Sequence, residues 1–112
     1  MFLHIVLFRP KPEVSKADRE AMFAALAVAA TEIPSVRRFH LGNRVTHGAA
    51  YERTMPQDFP FVAIVEFDDV AGLQAYLTHP KHAKLGELFH QLQEATLVYD
   101  YAMEQPLPFR SR

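Results

Sequence analysis

The residue types that could do chemistry are concentrated in Tyr76-Leu-Thr-His79-Pro80-Lys-His82, where one phenol and two imidazoles fall within seven residues. A phenol beside an imidazole can work as an acid/base pair, because the ring nitrogen can take a proton near neutrality. Pro80 separates them. A residue before proline is pushed out of the helical region, and proline suits the first helical position, so one helix should end near Leu77 and another begin at Pro80.

From Pro80 the apolar stripe runs through Leu85, Leu88, Phe89 and Leu92, and extending it back three residues reaches His82. An inward-facing imidazole in a first helical turn lies beside unpaired N–H groups and the positive helix end, which disfavour its charged form. In the preceding helix Val70, Leu73 and Leu77 form the expected inward face, with Tyr76 beside them. Tyr76 and His82 are thus expected to share one cavity. A buried Tyr–His contact is also an ordinary way to satisfy polar groups in a core.

Composition narrows the classes. The 112 residues suit one domain, 49% of them are hydrophobic and 12% aromatic, and there is no cysteine. Disulfide scaffolds, thiolate metal sites and cysteine nucleophiles are excluded. A net charge of -1 from 12 basic and 13 acidic residues gives no basic footprint for nucleic acid and no polybasic membrane patch. No run reaches membrane-spanning length and no charged leader precedes the first apolar segment, so a cytoplasmic location is expected.

The elements that must position the pair are read in order. Phe2 to Phe8 reads as a first strand, stopped by Arg9-Pro10. Ser15 with Asp18 resembles a capping box ahead of a helix over Lys16 to Glu32, which Pro34 ends. Val36 to Val45 and Phe59 to Phe67 alternate as strands, with a loop over Thr46 to Asp58 that carries His47. Helices over Val70 to Leu77 and Pro80 to Gln93 follow, then a fourth strand over Ala95 to Met103. Residues 104–112 read as a tail outside a domain of residues 1–103.

Strand, helix, two strands, helix pair, strand is the order of an α+β, ferredoxin-like split βαβ fold with a four-stranded antiparallel sheet. The helices can cover one side only, yet the strands are apolar on both. A second copy closing over the bare face predicts a symmetric homodimer with a barrel-like centre.

Met1 to Phe8, Val65-Glu66-Phe67, Tyr76 to His82 and Val98-Tyr99-Asp100-Tyr101 together resemble the stress-responsive α/β-barrel (Dabb) domain family of the dimeric α+β barrel superfamily, over Met1 to Met103. The resemblance implies a dimer formed through the sheets and, by its plant branch, aldol-type cyclisation of a carbonyl compound without a cofactor. By the same resemblance His82 is the base, Tyr76 holds the oxygen, and Asp100 orients the His82 imidazole. A small hydrophobic substrate would be enclosed by His4, Val6, Phe8, Phe23, Leu26, Phe39, Ala63 and Leu85, with Leu26 and Gln93 where plant cyclases place larger aromatics. Three alternatives stay open: a non-catalytic, stress-related ligand-binding module, a monooxygenase-like activity on fold analogy alone, and a metal held by His79, His82 and His4 or Asp100, which ranks lowest.

Overall fold

Ser15 starts the first helix by accepting the Asp18 backbone N–H at 3.1 Å on its Oγ, which satisfies one of the donors a helix start leaves unpaired. In the computed structural model, which describes residues 1–104, that helix is α1 (Lys16–Glu32). The other elements are β1 (Phe2–Pro10), β2 (Arg38–Asn43), β3 (Phe61–Phe67), α2 (Val70–Thr78), α3 (Pro80–Leu92) and β4 (Gln93–Ala102). The C-terminal tail beyond 104 lies outside the described residues.

The strand order is β2-β3-β1-β4, antiparallel throughout, the ferredoxin-like arrangement of an α+β domain. β1 runs two residues past the expected end because its register to β4 slips between Arg9 and Pro10, where a residue without an N–H is tolerated. β2 is shorter than expected. Its paired partners on β3 run from Phe61 to Glu66, and past them single backbone bonds follow, from the Arg37 N–H to the Glu66 carbonyl at 2.8 Å and from the Arg44 N–H to the Pro60 carbonyl at 2.9 Å. The loop between them contains a single 3-10 turn, Ala50–Thr54, with the Glu52 carboxylate accepting the backbone N–H groups of His47 and Gly48.

Alternation along β1 and β3 points His4, Val6, Phe8, Ala63, Val65 and Phe67 at the helices. Met22, Leu26 and Ala29 of α1, Ile33 just past its end, Leu73 and Tyr76 of α2 and Leu85 of α3 complete the core. Val70 does not join it as expected. It occupies the first position of α2, past the end of β3, and is 48% exposed. The opposite sheet face carries Leu3, Ile5, Leu7, Val62 and Ile64, half-buried, with Leu97, Tyr99 and Tyr101 exposed along β4. Among the described residues no helix is long and apolar enough to cross a membrane.

Candidate active site

The helix break at Pro80 positions the site. His79 is extended, φ −70° and ψ 140°, and caps α3: its Nδ1 accepts the Lys81 N–H at 3.1 Å, and its carbonyl accepts the His82 N–H at 3.0 Å. With its side chain spent on the cap, His79 does not converge with His82. No group of three metal-ligating side chains gathers among the described residues.

His82, in the first turn of α3, meets Tyr76 from the last turn of α2, ring centroids 4.7 Å apart and planes at 61°. Tyr76 is buried, 2% exposed, with Phe67 at 5.2 Å on one side and His4 at 5.8 Å on another. All three polar rings open on one cavity of about 290 Å³. Burial pushes the Tyr76 phenol up to about 12, so it keeps its proton and remains a donor. His82 is held below its ordinary value, first by burial and then by the charge of His4, while a backbone hydrogen bond at Leu77 pulls the other way. Desolvation and a like charge both favour the neutral ring.

The remaining expectations divide. Val6, Leu26, Phe39, Ala63 and Leu85 line the cavity with His4. Phe8 and Phe23 do not. Phe8 is fully buried between Phe61 and Phe89, at 5.4 and 4.9 Å, and Phe23 lies against Phe61 at 5.9 Å, so both are spent on the core at the far end of the sheet. Asp100 does not reach His82 either. The β1–β4 register sets it directly across from His4, and its Oδ1 accepts from His4 Nδ1 at 2.6 Å. Asp100 fixes the His4 ring, with Nδ1 carrying the proton. Gln93 turns away too, its amide on Met22 Sδ and its Oε1 without a partner.

Val65, Leu77, Gly86, Phe89, Thr96 and Val98 also form the wall. Their signals were in the sequence. Gly86 and Phe89 follow His82 by four and seven residues, and Thr96 and Val98 precede Asp100 by four and two. His40 and His47 lie outside the site, His40 against Glu66 at 2.7 Å and His47 against Tyr51 at 3.1 Å; His90 is exposed.

Residues 2–103 match the family described as Stress responsive A/B Barrel Domain. The chain belongs to that family. Within it, olivetolic acid cyclase of Cannabis sativa is 24% identical over 98 residues, 88% of this chain and 92% of that protein. Among solved structures, a hydroxynitrile lyase from Passiflora edulis superposes with a TM-score of 0.79 at 18% identity, covering 96% of each chain. A dimeric ferredoxin-like protein of unknown function from Thermobifida fusca follows at 0.72 and 22%, covering 91% of this chain and 90% of that one. At such identities these two superpositions show the fold.

Proposed function

We propose that the cavity is an acid/base site, needing no cofactor, that enolises a largely apolar carbonyl compound. The observation that carries this is the meeting of a phenol that stays protonated and an imidazole kept neutral over one hollow. The His82 nitrogen takes a proton from the carbon next to the carbonyl, and the Tyr76 hydroxyl donates a hydrogen bond to the oxygen on which the charge develops. The enolate carbon then forms a bond to a second carbonyl carbon, whose oxygen takes the proton back from His82. Run in reverse, the same groups cleave that bond.

His4, held by Asp100, borders the phenol and positions the oxygen end of the substrate. The cyclase and lyase names of two relatives support chemistry of this class. The working unit in this reading is a homodimer: the bare sheet face is apolar, and a structural neighbour is described as dimeric.

The test is exchange of the α-protons of 2-heptanone in D2O, followed by NMR. Wild-type protein should accelerate it. Tyr76→Phe and His82→Gln should each reduce that acceleration at least about a hundredfold while still binding the ketone. Full acceleration in both variants overturns the acid/base reading, and binding without acceleration in the wild type leaves a ligand-binding module.

A further inference from the structure

Gly86 stands in the interior of α3, six residues past its start and six before its end. Glycine there costs stability relative to alanine, because the unfolded chain gains freedom and the helix gains no contact. The usual structural reasons for accepting that cost are absent. Its φ is not positive, a property of Gly48. Nor, among the described residues, does another segment press against it: a Cβ on Gly86 would meet nothing within 4 Å, whereas one on Gly42 would stand 3.3 Å from Val62 Cγ1.

Gly86 does border the cavity. It lies one turn beyond His82 on the same side of the helix, and a helical side chain leans toward the preceding turn, so a substituent there would lean toward His82. The exposed members of the wall are Leu77, Gly86, Thr96 and Val98. They place the opening between α3 and the edge strand β4. Among the described residues no lysine, arginine or carboxylate lines the cavity, whose polar groups there are the cluster of His4, Tyr76 and His82 together with Thr96. A guest with its oxygen at that cluster would have an apolar remainder running along the wall toward the opening.

We propose that Gly86 determines specificity: its missing side chain keeps the mouth open, and the ligands admitted are uncharged carbonyl compounds with an unbranched apolar tail that passes between α3 and β4. This rests on the reading of the cavity as a carbonyl site and adds which residue limits tail length.

The test compares binding of 2-heptanone and 2-undecanone by calorimetry to wild-type protein, Gly86→Ala and Gly86→Leu, with Tm measured for each. Wild-type protein is expected to bind both, with the longer ketone tighter. Gly86→Leu should keep the short ketone within about threefold and weaken the long one by at least about tenfold. Gly86→Ala should raise Tm by a few degrees, since only helix propensity changes. Equal binding of both ketones in all three proteins overturns the role of Gly86 and leaves the carbonyl site standing. A lower Tm in Gly86→Ala, or equal loss of both ketones, also overturns it, because glycine then serves folding. If the wild type binds neither ketone, the carbonyl site itself fails and the inference goes with it.

Discussion

Tyr76 and His82 face one another across a helix break, rings 4.7 Å apart at 61°, although they belong to different helices. Pro80 makes this possible. A continuous helix would place residues six apart on different sides, whereas the extended His79 turns the chain so that the end of one helix and the start of the next address the same space.

Protonation of His82 should be visible as pH dependence. Its folded value lies below 6.5, so below that pH the unfolded chain binds the proton first. The stability contributed by the neutral ring is present above 6.5 and is lost as pH falls toward the folded value. Thermal melts between pH 7 and 5 should show Tm dropping, with part of the drop missing in His82→Gln. Ketone α-proton exchange should keep its rate down to below pH 6.5 before declining.

Tyr76 has the opposite sense. Its folded value of about 12 exceeds the ordinary 10.0, so its contribution is intact below 10.0 and is lost as pH climbs toward 12. An absorbance titration of wild-type protein against Tyr76→Phe should assign the late phenolate step to this residue. An early step, near 10.0, would show the ring to be hydrated.

Asp100→Asn separates the two possible partners of that carboxylate. With Asp100 on His4 at 2.6 Å, its loss should release the His4 ring and weaken ketone affinity. Had Asp100 supported the His82 imidazole directly, the His82 midpoint followed by NMR would fall instead.

Phe8 and Val6, neighbours on one strand face, should respond differently. Phe8 is 0% exposed and packed between two aromatic rings, so Phe8→Ala should cost about 3–5 kcal/mol in urea unfolding. Val6 borders an existing hollow, where truncation leaves less new void; Val6→Ala should cost about 1 kcal/mol and alter ketone affinity instead.

The bare sheet face should hold two copies together. Ile5→Arg and Tyr99→Asp, both on that face, should give monomers in sedimentation, while Val70→Ser, exposed on the helical side, should leave a dimer. A monomeric wild type would contradict the pairing of sheets.

Local signals made much of this legible. Ser15 and Pro34 bracket α1, Pro80 divides α2 from α3, and alternation sorts the strand faces, because caps, breaks and period-two patterns act over a few residues. The misplacements of Asp100 and Phe8 are matters of register between segments. Alternation puts Asp100 on the helical face but does not say that His4 is its cross-strand neighbour. Nor does it say that Phe8 falls one pair beyond the hollow that Val6 borders. Gly86 carries no apolar period, and the open space beside it is a property of the folded helix that its sequence neighbours do not encode.

A crystal structure with 2-heptanone bound tests the central relationship most directly. The carbonyl oxygen should lie about 3 Å from the Tyr76 hydroxyl, with the α-carbon facing a His82 ring nitrogen. Ketone density elsewhere on the protein, or a cavity closed by side chains with the two rings turned apart, would contradict it.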